Sequence, residues 1–118
     1  MAGTNKNIKI PPQAIEFEEA VLGAIMIDKN AMAEVGDILS PEVFYKDSHK
    51  EIYRVIENLF QNAEPIDIFT IKNKLQKNKK LEHCGGIHYL GDLTHKVISS
   101  SNIEYHSRII VQKHIQRE

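Results

Sequence analysis

The stretch "SHKEIYRVIENLF", residues 48–60, constrains this chain more than any other. Ile52, Val55, Ile56, Leu59 and Phe60 recur at spacings of three and four, with charged or polar side chains between them. A strand would alternate with a period of two, so the pattern predicts an amphipathic helix with one buried stripe. Tyr53 and the stripe from Ile52 to Phe60 are therefore assigned to the core. Ser48 and Glu51 have the spacing of a capping box and set the expected start of this helix.

Further helices follow from the same logic. Glu16, Glu18 and Glu19 precede the apolar run "AVLGAIMI" and suit the positive end of a helix dipole. Because that run is apolar on nearly every side, the helix from Glu16 to Ile27 is expected to be the central one. A weaker helix is read over Ala31 to Leu39, and Ser40-Pro41 has the form of an N-cap followed by proline at the first helical position. Asp67 is placed to cap "IFTIKNKL", with Ile68, Ile71 and Leu75 facing inward. After Gly85-Gly86, the residues Ile87, Leu90, Leu93 and Val97 again have helical spacing, with Tyr89 beside them. Ser101 and Glu104 make a second box before a final helix carrying Ile103, Tyr105, Ile109, Ile110, Val111 and Ile115. The fold class is all-α, a single small bundle of about six helices, preceded by a mobile arm over residues 1–13 that ends just after Pro11-Pro12.

Reactive chemistry finds little support. "HCGGIHYL", residues 83–90, holds His83, the only cysteine Cys84, and His88, with His95 further on, but a zinc site needs a second spaced pair. Cys84 precedes a helix start, where a thiol pKa can fall, yet no signature of a cysteine hydrolase surrounds it. Gly85-Gly86 could cradle phosphate at a helix N-terminus, but neither G-x-x-x-x-G-K-[ST] nor G-x-G-x-x-G occurs, and a glycine pair is more often a flexible joint between helices. The glutamates of the first helix and the serines at helix starts already have dipole and capping roles. No catalytic residue, metal ligand or cofactor-binding residue is assigned. The run "KNKLQKNKK", residues 72–80, holds five lysines with no aromatic among them to stack on bases, and reads as a solvated helix end.

Composition narrows the remainder. Fifteen basic against 16 acidic residues give a net charge of −1 and no general attraction for polyanions or membranes. The 118 residues suffice for one domain, one cysteine permits no internal disulfide, and no segment has the length of a signal peptide core or membrane span. A cytoplasmic location is expected. The last helix stands apart, since its apolar residues spread over too much of its circumference for one globule to cover.

Taken in succession, "EAVLGAIMID", "ILSPEVFYKDSHKEIYRVIENLF", "EPIDIFTIKNKL", "LEHCGGIHYLGDL" and "SSSNIEYHSRIIVQK" closely resemble the N-terminal domain of DnaB-type bacterial replicative DNA helicases over roughly residues 11–118. The specific signal is the joint occurrence of Phe44-Tyr45 with His49 and Ile52-Tyr53, Pro65-Ile66-Asp67, Gly85-Gly86 with Tyr89-Leu90, and Asn102-Ile103 with Tyr105. The resemblance divides the chain into the arm and a helicase N-terminal domain over 14–118.

What the resemblance implies is a non-catalytic scaffold for DNA replication. In such helicases the domain forms a collar arranged as a trimer of dimers and takes part in recruiting a DnaG-type primase; a helicase loader is a further possible partner. ATP and Mg belong to a RecA-like motor domain with a P-loop, outside these residues, so this piece is expected to be no enzyme, to need no cofactor and to bind DNA weakly. The final helix resembles the first half of a helical hairpin that pairs with a neighbouring subunit. The face around Ile103, Tyr105, Ile110 and Ile115 is accordingly expected to make subunit contacts, and an Ile110→Asp change to abolish association with helicity retained. Two other readings share the fold: a free-standing helical adaptor, and the helicase-binding domain of primase, which is similar in structure.

Overall fold

The computed structural model describes residues 13–97 and 102–118. Among them six α-helices and one 3-10 turn, with no strand, make up the fold: α1 Ile15–Ile27, α2 Ala31–Val35, the 3-10 turn Pro41–Val43, α3 Asp47–Gln61, α4 Ile68–Lys77, α5 Gly86–His95 and α6 Ile103–Arg117. The expected arm lies outside the described residues except for Gln13, whose side-chain oxygen accepts from the Ile15 N–H at 3.2 Å.

The apolar run makes α1 the centre, as its sequence requires. Val21, Leu22, Ala24, Ile25 and Met26 are all buried, and the helix packs against α5 and α6 as well as α2 and α3. Gly23 sets how closely it approaches α5. A Cβ there would stand 2.1 Å from the Leu93 carbonyl oxygen, so only glycine lets the two backbones come together.

The stripe on α3 is buried as its spacing demands, with Ile52, Tyr53, Ile56 and Leu59 nearly inaccessible. Phe60 is the exception at 44% exposed, because it lies at the edge of the stripe in the last turn. The expected Ser48–Glu51 box does not form. The helix begins two residues earlier, at Asp47 with Lys46 as its cap. Ser48 is drawn into the packed first turn, where Cys84 Sγ lies 3.8 Å from its carbonyl oxygen, and Glu51 turns to Arg54 at 2.6 Å. Burial of Phe44 and His49 on both sides of this turn overrides the local capping preference.

Asp67 does cap α4. Its carboxylate accepts from the Thr70 N–H at 2.9 Å, and the Thr70 hydroxyl accepts from the Asp67 N–H at 3.0 Å. The far end closes in a Schellman motif, with Lys80 N–H donating to the Leu75 carbonyl at 2.8 Å and Lys79 at φ 60°. Ser40 and Pro41 open the 3-10 turn as expected, although no side-chain bond caps it. The second helix stops at Val35 rather than Leu39, the chain continuing through turns that still bury Leu39. The Ser101 box lies outside the described residues; Glu104 pairs with Arg108 at 3.0 Å.

Candidate functional site

Three side chains from three helices meet in a buried polar chain. Glu18 on α1 and His49 on α3 are 1% and 0% exposed, and Glu18 Oε1 stands 2.7 Å from His49 Nδ1. His49 Nε2 lies 2.6 Å from the Tyr89 hydroxyl on α5, with the two rings stacked at 6.0 Å. The second carboxylate oxygen of Glu18 accepts from the Tyr45 N–H at 2.7 Å, and Lys46 Nζ reaches the Tyr89 hydroxyl at 3.4 Å.

Both ring nitrogens of His49 are paired, Nδ1 with the Glu18 carboxylate and Nε2 with the Tyr89 hydroxyl. Burial, followed by the nearby Glu19 and Glu18, pushes the Tyr89 phenol up, which keeps the proton on its oxygen. The arrangement has an orienting acid, a histidine and a hydroxyl in line, the parts of a nucleophilic relay. The hydroxyl, however, is a phenol that holds its proton, and the histidine and acid are buried. What the chain can do is lock α1, α3 and α5 in one register, because each buried group left unpaired would cost about 1–3 kcal/mol.

The glycine joint positions Tyr89 for this. Gly85 and Gly86 adopt φ of 93° and 72°, and a Cβ on Gly85 would stand 2.6 Å from Tyr89 Cβ. Their N–H groups donate to the Glu82 and Leu81 carbonyls at 3.1 and 2.9 Å, so they are spent within the turn and do not point to a phosphate. Cys84 is 1% exposed, and burial, with Glu51 adding to it and Lys80 opposing, pushes its thiol up to about 11, the reverse of an activated nucleophile. His83, His88 and His95 are exposed while Cys84 is buried, and among the described residues no three His, Cys, Asp or Glu side chains are grouped to hold a metal.

The four residues expected to make one interaction face separate into two. Ile103 and Ile110 are 2% and 1% exposed, packed into the core of this chain, so they are not available to a partner. Tyr105 and Ile115 are 66% and 63% exposed. The physical reason is the helical period: Ile103 and Ile110 share the inward side of α6 with Ser107, whereas Tyr105, Arg108, Gln112 and Ile115 fall on the outward side. Ile115 borders a shallow groove with Ile38, Arg108 and Val111. At the inner edge Arg117 donates to the Val43 carbonyl at 2.9 Å and tethers the end of α6 to the 3-10 turn.

Glu18 was assigned from sequence to the helix dipole, and its pairing with His49 was not anticipated. A signal was present. Glu18 shares a helical face with Leu22 and Ile25, and His49 shares one with Ile52, Tyr53 and Ile56, so both polar groups lie in line with buried stripes.

Comparison with known proteins adds to this geometry. The family model "DnaB-like helicase N terminal domain" matches residues 10–112. The chain is 42% identical over 109 residues to the replicative DNA helicase DnaB of Rhodothermus marinus, covering 92% of this chain and 12% of that protein. It is 40% identical over 111 residues to the replicative DNA helicase DnaC of Bacillus subtilis, covering 94% and 24%. The chain thus spans a quarter or less of the length of these relatives. Among solved structures, the N-terminal domain of DnaB helicase from Mycobacterium tuberculosis superposes with a TM-score of 0.88 at 33% identity, covering 92% of this chain and 77% of that one. A DnaB-like replicative helicase described together with its interactions with primase superposes at 0.78 and 27% identity, covering 88% and 24%.

Proposed function

From the premise that this chain belongs to the DnaB-like helicase N-terminal domain family, we propose that it serves as a non-catalytic scaffold, holding helicase subunits together in a collar and recruiting primase. The family separates it from the fold-sharing helicase-binding domain of primase. The single observation that carries the scaffold reading is the outward face of α6, where Tyr105 and Ile115 stand two-thirds exposed on a helix whose other side buries Ile103, Ser107 and Ile110. The two exposed apolar side chains lie within about 80° of each other around the helix, on a face a neighbouring subunit could cover. In this proposal residues 14–118 are the scaffold and residues 1–13 an arm. ATP, Mg and duplex unwinding fall to a motor domain outside these residues, and a trimer-of-dimers collar, a DnaG-type primase and a helicase loader are the partners. No described helix is long and apolar enough to cross a membrane.

The test is a calorimetric titration with the C-terminal helicase-binding domain of primase from the same organism, with sedimentation of the chain recorded alongside. Saturable heat, together with association that Tyr105→Glu and Ile115→Asp weaken at unchanged helicity, is the expected outcome. Association equal in variants and parent would assign subunit contacts to another face, and absence of heat from a folded chain would remove the primase site from these residues.

A further inference from the structure

We infer that the outer face of α4 and the turn after it form a contact surface for single-stranded nucleic acid, with Phe69 as a stacking platform and Lys72, Lys77, Lys79 and Lys80 as phosphate contacts. Within the lysine run itself no aromatic is present, but the structure supplies one just ahead of it. Phe69 is 69% exposed, the most exposed large apolar side chain among the described residues. Ile71 and Leu75 fix the opposite side of α4 in the core, so Phe69 faces solvent. At about 100° per residue, Lys72 and Lys77 fall on either side of Phe69, within about 80° of it.

The charge is unpaired. None of Lys72, Lys74, Lys77, Lys79 and Lys80 has a carboxylate within 4.0 Å among the described residues, whereas Arg54, Lys96 and Arg108 each do. Glu51 shares the groove between α3 and α4 with Lys74 and Lys77, but Arg54 already holds it at 2.6 Å. A chain of net charge −1 thus concentrates five cations in nine residues. The helix dipole accounts for Lys74 and Lys77 in the last turn, but not for Lys72 before it, Lys79 and Lys80 beyond it, or the exposed ring. Lys79 also occupies φ 60°, where glycine would be the relaxed choice. A purely acidic polypeptide such as polyglutamate would use the lysines and leave Phe69 idle; a nucleic acid strand uses both, its backbone on the cations and a base on the ring. The inference rests on charge and exposure and stands apart from the scaffold reading.

The experiment is fluorescence anisotropy of a labelled oligo(dT) of about 20 nucleotides, enough for several contacts, titrated with the whole chain at low and rising salt. Saturable binding is expected, with log K falling against log salt at a slope of about −0.7 per phosphate contact, near −3 for four. Phe69→Ala should weaken binding about tenfold and leave the slope unchanged. Lys79→Gly should make the slope shallower by about 0.7 while the melting temperature holds or rises, since glycine relaxes the turn. A folded chain that binds no oligo(dT) at low salt overturns the proposal. So do both variants binding as the parent does, and polyglutamate displacing oligo(dT) at equal charge concentration, which would make an acidic polypeptide the ligand.

Discussion

At the scale of the residue, polar groups define this core as much as apolar ones. Glu18 and His49 are buried because each completes the hydrogen bonding of the other, and Tyr89 closes the chain. Three acids carry a pH dependence: buried Cys84, pushed from 9.0 to about 11, and the phenols of buried Tyr53 and partly buried Tyr89, both pushed up chiefly by desolvation. The native state therefore keeps protons that the unfolded chain releases, so stability is fully present below these groups' unfolded values and falls as pH rises past them. The urea midpoint should be level up to about pH 9 and decline through pH 11, with Cys84→Ala removing the earliest part of the decline. A midpoint flat to pH 11 would show that the thiol and phenols are not held from solvent.

At the scale of the element, helix ends obey local chemistry only where packing leaves them free. The Asp67 cap of α4 is exposed enough to follow its sequence signal, while the Ser48 signal is overridden by the burial of Phe44 and His49. Helix approach is equally specific. Gly23 on α1 faces the Leu93 carbonyl and Val97 Cγ2, and a backbone atom at 2.1 Å from the built Cβ is unable to rotate aside as a side chain could. Gly23→Ala should cost about 1–3 kcal/mol through separation of α1 and α5, despite the higher helix propensity of alanine. Chemical denaturation would measure it. A variant as stable as the parent would mean that the two helices separate at little cost.

At the scale of the whole molecule, α6 has two jobs on two sides. Its inner side, with Ile103 and Ile110, completes the core against α1, and its outer side carries Tyr105 and Ile115 into solvent. Ile110→Asp therefore does not test association, because it buries an unpaired charge and should unfold the domain, with a loss of several kcal/mol. Ile115→Asp should change the unfolding free energy by less than about 0.5 kcal/mol. Circular dichroism melts of the two variants side by side separate these outcomes, and equal melting temperatures would contradict the division of α6 into a packed and a free side.

Local signals along the chain were enough to read the helices, the central place of α1, the buried stripe of α3 and the Asp67 cap, because spacing and capping act within a few residues. The sequence also carried the family, through motifs such as Phe44-Tyr45 with His49. It misplaced Ile103 and Ile110 on the contact face of α6, since apolar residues lie around most of that helix and periodicity is silent when every side qualifies. It also hid the contacts that join residues far apart along the chain: Glu18 to His49, His49 to Tyr89, and Arg117 to Val43. Those pairings depend on how helices dock, and docking is settled by the summed packing of the core, to which a close approach such as that at Gly23 contributes more than any local preference.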